Sequence, residues 1–145
     1  MSRKILRITI GIALMFLVVV SLPGCSRTEP IETPDYTDAI AEGVLQAFNA
    51  GDYPVYSEHF DETMKEAISE TVFEGTREFI RDRVGDYISK EVTAVDVVEN
   101  KTTVTYKAKF SDEPDDVKVT IVFLESGGSV YISGLYYDSP KLRKM

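Results

Sequence analysis

The chain has 145 residues, with 16 Lys plus Arg against 24 Asp plus Glu, a single histidine and a single cysteine. Its net charge of −8 argues against nucleic acid as a partner, because phosphate binding requires basic surfaces. One cysteine cannot form a disulfide within the chain, so a hydrophobic core must hold the fold. One histidine and one thiol cannot build a usual structural zinc site either. No cofactor motif is present, so we expect neither metal nor cofactor.

The first 25 residues have the layout of an export signal. A short basic head precedes residues 8–22, which are uncharged, and Cys25 follows directly after Gly24. A basic head, an apolar stretch and small residues at the cut are typical of a secretory signal peptide. With cysteine at this position the segment resembles a prokaryotic lipoprotein signal. The resemblance implies cleavage after Gly24 and a lipid on Cys25 that holds the protein at the cell membrane, facing outside the cytoplasm.

Two alternatives remain for this segment. An uncleaved membrane anchor needs about 20 apolar residues, which is more than residues 8–22 supply. A plainly cleaved signal would release the protein, and Pro23 stands where the lipoprotein pattern usually has a small or β-branched residue. The export signal itself is common to all three interpretations.

Beyond the signal peptide, residues 1–24, the sequence indicates a linker, one domain and a tail. Residues 25–34 contain two prolines and no apolar periodicity, as expected of a linker behind the lipidated cysteine. Residues 35–140 suit one domain with a modest core. The last residues, 141–145, form a basic tail that we expect to fray. The processed chain has 13 basic and 24 acidic residues, a net charge of −11.

The domain begins with helical patterns. The first starts at Asp35 and ends at Gly51, which can supply the stop. A short turn of helix or loop follows and reaches Phe60. Asp61 is suited to cap a second helix. The apolar stripe of the first helix consists of Tyr36, Ile40, Ala41, Val44, Leu45 and Phe48.

A third helix is predicted to start at Thr71, with Glu74 completing a capping box, and to end at Gly85. Its core face would consist of Val72, Phe73, Phe79, Ile80 and Val84. Across the whole domain, the residues expected at the centre of the core are Phe48, Phe79, Ile80, Tyr106 and Ile121.

From residue 86 onward the apolar period changes to two, which predicts strands. Apolar residues alternate with Thr and Lys in the second run, as in a strand with one face in water. Short turns join consecutive runs and favour an antiparallel meander. Helices followed by strands make an α+β fold, with N-terminal helices packed on a four-stranded antiparallel sheet. The predicted strands are 86–98, 102–110, 117–124 and 130–138, and the turns are 99–101, 112–116 and 126–129.

Several short motifs resemble one family. They are Ala47-Phe48-Asn49-Ala50-Gly51-Asp52-Tyr53, Phe60-Asp61, Phe79-Ile80, Gly85-Asp86-Tyr87 and Gly134-Leu135. Together they resemble an uncharacterised domain of small prokaryotic lipoproteins, similar to the nuclear transport factor 2-like (cystatin-like cone) proteins. The resemblance covers most of residues 36–138. It implies a helical layer on the concave side of a curved four-stranded sheet, often with a pocket at one end.

Such a pocket would draw on the tyrosines and on the one histidine. Tyrosine has a large apolar ring and one hydroxyl, which suits pocket walls and interfaces, although it is equally ordinary in strands. The candidate pocket residues are Tyr53, Tyr56, His59, Tyr106 and Tyr136. His59 titrates near neutrality and would be the base of an enzyme if a carboxylate oriented it. We expect no catalytic role, because Asp61 as a helix cap separates His59 from Glu62, the nearest suitable acid.

Two further motifs have both a chemical and a plain interpretation. Residues 112–116 carry four carboxylates, which hard cations favour, but the spacing of a calcium-binding EF-hand is not matched and a solvated hairpin turn explains them. Asn100-Lys101-Thr102 matches the N-glycosylation pattern in a predicted turn, a match that is frequent by chance.

We therefore expect a lipid-anchored extracytoplasmic binding or accessory module without catalysis, whose partner is an envelope protein or a small apolar ligand. The alternatives are an enzyme acting on a small molecule in the cone pocket and a structural or assembly protein of the envelope. An enzyme needs converging ionisable groups in a cavity. A small-ligand binder needs an apolar cavity, and an interaction module needs an exposed apolar patch.

Overall fold

The computed structural model describes residues 31–144, in which four helices precede four strands. The predicted signal peptide, Cys25, the first part of the linker and Met145 lie outside the described residues. Within the described part, no helix combines the length and the apolar character needed to span a membrane. The elements are α1 (Asp35–Ala50), α2 (Tyr53–Tyr56), α3 (Glu62–Ala67), α4 (Glu70–Val84), β1 (Tyr87–Val98), β2 (Lys101–Phe110), β3 (Glu113–Ser126) and β4 (Ser129–Asp138).

Local side-chain chemistry fixes the ends of the first three helices. Gly51 ends α1 in the left-handed conformation, with φ 73°, which glycine adopts without steric cost. The Asp52 carboxylate accepts a hydrogen bond from the Val55 amide at 3.2 Å and caps α2. The Asp61 carboxylate accepts from the Met64 amide at 2.8 Å and caps α3. The predicted stop at Gly51 and cap at Asp61 are confirmed.

The start of α4 differs from the prediction. Ser69 is the cap, because its backbone is extended and its hydroxyl oxygen accepts from the Val72 amide at 3.4 Å. Thr71, two residues later, is already helical. The predicted cap at Thr71, with Glu74 as its partner, is therefore wrong, while the predicted end at Gly85 is confirmed.

The strands form one antiparallel sheet in the order β1-β2-β3-β4, as the short connections predict. Val104, Tyr106, Ala108 and Phe110 of β2 are buried against the helices. The opposite face, which we call the outer face, carries Thr103, Thr105, Lys107, Lys109 and their cross-strand neighbours. The fold is thus α+β, with all four helices preceding a four-stranded antiparallel meander.

The predicted turn at residues 112–116 is wrong. Phe110 pairs with Glu113, so the turn is reduced to Ser111 and Asp112. Glu113 is buried and accepts a hydrogen bond from the Lys141 amide at 3.2 Å, and this pairing draws the acidic segment into β3.

The C-terminal tail is held rather than frayed, which corrects a second expectation. The same Lys141 amide bond anchors it to Glu113, and the Leu142 amide donates to the buried Ser139 hydroxyl at 3.2 Å. Arg143 forms a two-pronged ion pair with Asp138 at 2.5 and 2.6 Å. Residues 141–143 are therefore held at the ends of β3 and β4.

An ion-pair cluster joins α1 to β1. The Lys90 ammonium, on a side chain only 5% exposed, lies 2.5 Å from Asp38 and 3.3 Å from Glu42. Burial of Glu42 opposes its ionisation, but hydrogen bonds from Gln46, Tyr87 and Lys90 outweigh burial and lower the pKa of Glu42. The cluster fixes the position of α1 across the sheet.

Four of the five predicted central residues are buried. Phe48, Ile80, Tyr106 and Ile121 are each at most 4% exposed, whereas Phe79 is 43% exposed. The prediction for Phe79 is wrong because the core stripe of α4 consists of Phe73, Ile80 and Val84, and Phe79 lies one position off this stripe. Its ring instead packs under the Arg83 guanidinium, 3.7 Å away. Val72, also predicted in the core, is likewise exposed.

Two glycines of this region should respond oppositely to alanine. Gly75 is exposed in the middle of α4 with open space where a Cβ would lie, so Gly75→Ala should stabilise the protein by about 1 kcal/mol. Gly85 has φ 80° and ψ −153°, and a Cβ would clash with the Ser111 hydroxyl and lie 2.9 Å from the Asp112 amide nitrogen. Gly85→Ala should destabilise it by at least about 2 kcal/mol. Urea denaturation measures both, and equal effects would contradict this geometry.

Candidate functional site

Aromatic rings fill the interior between the helices and the sheet. The Phe73 ring lies 4.5 Å from Tyr56 and 6.1 Å from Phe48 between centroids, and Phe48 lies 5.3 Å from Tyr137. The Phe60 ring lies 5.2 Å from Tyr56. These distances are those of packed aromatic pairs, so a ligand cannot enter this interior without displacing a ring.

The five predicted pocket residues do not surround one cavity. The Tyr53 hydroxyl donates to the Ile68 carbonyl at 2.7 Å and the Tyr106 hydroxyl to the Thr37 carbonyl at 3.2 Å, so both serve packing. Tyr56 belongs to the aromatic interior, and Tyr136 lies on the outer face, opposite Thr120. His59 alone of the five lines one of the surface cavities described below.

Burial raises the pKa of three of the interior tyrosines. Loss of hydration in the interior is the main cause for Tyr56 and Tyr137, whose pKa values both lie well above 10. Burial raises the pKa of Tyr106 to about 12, with a smaller contribution from the Asp38 charge and an opposing hydrogen bond to Thr37. These hydroxyls are therefore neutral at physiological pH and are no ready proton acceptors.

His59 is placed by a short strand-like segment beside β4. The Ile132 amide donates to the His59 carbonyl at 2.6 Å, and the Asp61 amide donates to the Ile132 carbonyl at 3.0 Å. Phe60 between them forms a parallel bridge with Ile132 and sends its ring into the core. His59 itself lies in the turn before Phe60, and it is half-buried at the surface.

There His59 borders an apolar depression that we call the His59 groove. One part, of about 250 Å³, lies between α1 and α2, and a second part, of about 490 Å³, extends to the turn between β3 and β4. The two parts share Ile40, Glu58 and His59. Val55 is 45% exposed at one end. The groove is lined chiefly by Ile40, Gly43, Val55, His59, Val130 and Tyr131.

The charged or titratable side chains of the groove are Glu58 and His59, which both of its parts share. Within residues 31–144, His59 forms no ion pair with a carboxylate, so no acid orients its ring. The nearest acid in sequence, Glu58, is exposed. The same part of the chain contains no cluster of three or more His, Cys, Asp or Glu suited to a metal ion. The arrangement therefore offers apolar contact around two polar side chains, Glu58 and His59.

A larger cavity, of about 680 Å³, lies along α4, and both of its arginines make structural contacts. The Arg77 guanidinium donates to the Phe48 and Asn49 carbonyls, both at 2.6 Å, and so caps the C-terminal end of α1. Arg81 pairs with Asp86 at 2.5 Å. The two arginines that line this cavity are thus already engaged by the fold.

The candidate glycosylation and calcium motifs make contacts within the fold. Asn100 lies in the turn between β1 and β2, where its side-chain amide donates to the Glu125 carbonyl at 3.0 Å. Asp116, the last acid of the candidate calcium segment, contacts Lys107 and Lys109. Hydrogen bonds from Lys109 and then Lys107 lower its pKa. Lysines therefore already balance its charge.

Two solved structures share the fold at low identity. The first is the solution structure of a SEC-C motif containing protein from Rhodopseudomonas palustris, with 15% identity over 71% of this chain and 79% of that chain, and a TM-score of 0.53. The second is named as an Rd1NTF2_05 variant with five substitutions, with 13% identity over 72% of this chain and 97% of that chain, and a TM-score of 0.51. No curated protein matches the chain significantly.

These likenesses and the helix-on-sheet architecture define the class as the nuclear transport factor 2-like cone fold. The class is one in which a sheet and helices enclose a concave space, and here aromatic rings occupy that space. The chain belongs to the family described as "Protein of unknown function (DUF3887)", whose model matches residues 41–127, more than half of the chain.

Proposed function

We propose that this protein is a lipid-anchored extracytoplasmic binding module that docks a segment of an envelope protein in the His59 groove. The proposal is based on where apolar side chains are accessible to a partner. The interior of the cone is filled by rings, whereas Ile40, Val55 and Tyr131 remain accessible in the groove. A partner therefore meets this protein at its surface.

The net charge of the helical residues indicates which kind of partner segment they favour. Residues 35–86, which form the helices, carry 13 acidic and 4 basic residues, a net charge of −9. An acidic surface around an apolar groove favours segments that combine apolar with basic side chains, since opposite charges speed and orient the encounter. Small-molecule sites usually enclose most of their ligand, whereas this groove is open along its length.

The tether keeps the groove close to the membrane. Ten residues, 25–34, separate the proposed lipid from α1 and span at most about 35 Å when extended. The groove runs along the middle of α1, from Ala39 to Val44. Envelope proteins at the membrane surface are therefore within its reach.

A photo-crosslinking side chain at Val55 tests this proposal in cells that make the protein. We expect a discrete adduct with an envelope protein from position 55 and none from position 97, because Val97 is more exposed than Val55 but lies on β1, away from the groove. Gly43 provides a groove-filling variant, since the space where its Cβ would lie is open. Gly43→Leu should lower the yield of the adduct about tenfold, the size of a typical central interface loss.

Gly75→Leu is the matched control, because Gly75 is also an exposed helical glycine with open space around it and lies on α4. It should leave the yield unchanged. Equal adducts from positions 55 and 97, or equal effects of the two glycine substitutions, would contradict docking in the His59 groove.

A further inference from the structure

Charge divides unevenly between the two halves of the fold. The helical residues, 35–86, have the net charge of −9 given above, whereas residues 87–145, which form the sheet and the tail, carry 9 acidic and 8 basic residues, a net charge of −1. The helical side is strongly negative. Most basic residues of the processed chain belong to the sheet and the tail.

At β2 and β3, two lysines of the outer face project above a recessed carboxylate. Lys107 and Lys109 both contact Asp116, and the Lys107 ammonium lies 2.9 Å from its carboxylate. The lysine side chains are 53% and 59% exposed, while that of Asp116 is 17% exposed. Along β2 and β3, an anionic surface meets these ammonium groups before it meets Asp116. The exposed carboxylates of this face, Glu91 and Asp96, belong to β1.

The line of cations continues across the sheet. Lys107 lies opposite Lys118 in the register of β2 and β3, and Lys118 lies opposite Asp138 of β4. Asp138 in turn holds Arg143 of the anchored tail, whose side chain is 67% exposed. Two strands and the tail therefore supply the cations of this line, and Asp138 of β4 lies between Lys118 and Arg143.

An exposed aromatic residue lies on the same face. Tyr136 is 61% exposed and lies opposite Thr120. Tyrosine combines an apolar ring with a polar hydroxyl and is enriched at the level of lipid headgroups. A line of cations beside an exposed tyrosine matches the chemistry of a phospholipid surface.

We propose that the outer face of the sheet docks on anionic phospholipid headgroups, so that the acidic helices point away from the membrane. This inference rests on the lipid tether of the proposed function. The tether supplies the attachment, and the charge distribution supplies the orientation. A negative membrane surface attracts the projecting lysines and repels the helical side, and the attraction declines within one Debye length.

A second copy of this chain is a poorer occupant of the face. Two identical outer faces would bring the lines of Lys107, Lys118 and Arg143 together, and like charges oppose such contact. The test below separates the two occupants, because a second copy would cover the lysines without any lipid.

The experiment uses the processed chain from Cys25, coupled through this single thiol to a maleimide phospholipid in vesicles. The vesicles contain phosphatidylcholine alone or phosphatidylcholine with phosphatidylglycerol at about two to one. Acetylation of each lysine is followed by mass spectrometry. Lys107, Lys109 and Lys118 should react at least about threefold more slowly on the anionic vesicles, whereas Lys65, which is exposed on α3, should react equally on both. Salt at about 0.5 M should remove the difference.

A double variant, Lys107→Gln with Lys118→Gln, should abolish the protection of Lys109, while Lys65→Gln should preserve it. Equal rates at the outer face on both vesicles, or protection of Lys65 instead, would overturn the proposal. Protection without vesicles would assign the face to a second copy and overturn it as well. Because the tether is chemical, none of these results depends on acylation of Cys25 in cells, and failure of the groove crosslinks would leave them unchanged.

Discussion

Phe73→Ala should destabilise the domain by about 3–5 kcal/mol, the usual cost of removing a fully buried phenylalanine. The Phe73 side chain is 1% exposed, and its ring packs against Phe48, Tyr53 and Tyr56. It is the residue through which α4 reaches the aromatic interior, so its removal leaves a cavity that the neighbouring rings cannot fill. For a domain of this size the loss is a large share of the free energy of unfolding. Urea denaturation followed by circular dichroism measures it.

Phe79→Ala is the matched control on the same helix. Phe79 is 43% exposed and packs under Arg83, so its removal should cost less than about 1 kcal/mol. The two substitutions delete the same atoms from α4 and differ only in the side of the helix. If Phe79→Ala cost as much as Phe73→Ala, the rotation of α4 described above would be wrong.

The sequence predicts where elements begin and end better than it predicts how they face each other. Gly51, Asp61 and Gly85 mark helix boundaries because a left-handed glycine or a capping carboxylate acts on backbone groups within a few residues. The order of the strands follows from their short connections. These local rules led to the α+β fold.

Contacts with residues distant in sequence determine which side of α4 faces the core. Val72 and Phe79 are as apolar as Phe73 and Ile80, so the apolar pattern marks two adjacent stripes on one helix. Only the position of the Phe48 and Tyr56 rings selects the stripe that is buried. Ser69 as the true cap of α4 was missed because Thr71 and Glu74 offer an equally good local pattern.

The His59 groove could be predicted only in part. His59 itself stood out as the sole histidine, and the exposed valine of α2 lies close to it in sequence. Val130 and Tyr131 reach the groove through the pairing of Ile132 with the segment around Phe60. That contact joins residues about seventy positions apart in sequence, so no local sequence pattern predicts it. Tyr106 and Tyr136 were grouped with His59 by residue type alone, and the sheet places them on its two opposite faces.

Cys25→Ala should abolish attachment of the protein to the membrane by lipid. In a host with the lipoprotein pathway, the unaltered chain should fractionate with membranes and lack residues 1–24, with a mass increased by lipid on Cys25. Without the thiol no acyl chain can be added. The variant should then remain an unprocessed precursor or appear in the soluble extracytoplasmic fraction. Fractionation with mass spectrometry of the amino-terminal peptide distinguishes these outcomes.

Ser26→Ala is the control, because it changes the neighbouring small polar residue and leaves the thiol in place. It should be processed and anchored as the unaltered chain is. A mature chain that begins at Cys25 with an unmodified thiol would refute the lipid anchor, and a precursor that keeps residues 1–24 in the membrane would favour an uncleaved anchor instead. One acyl chain gives only reversible binding, whereas two or more hold a protein stably. The number of acyl chains in the measured mass therefore decides whether lipid alone keeps this acidic domain at the membrane or whether the lysines of the outer face contribute.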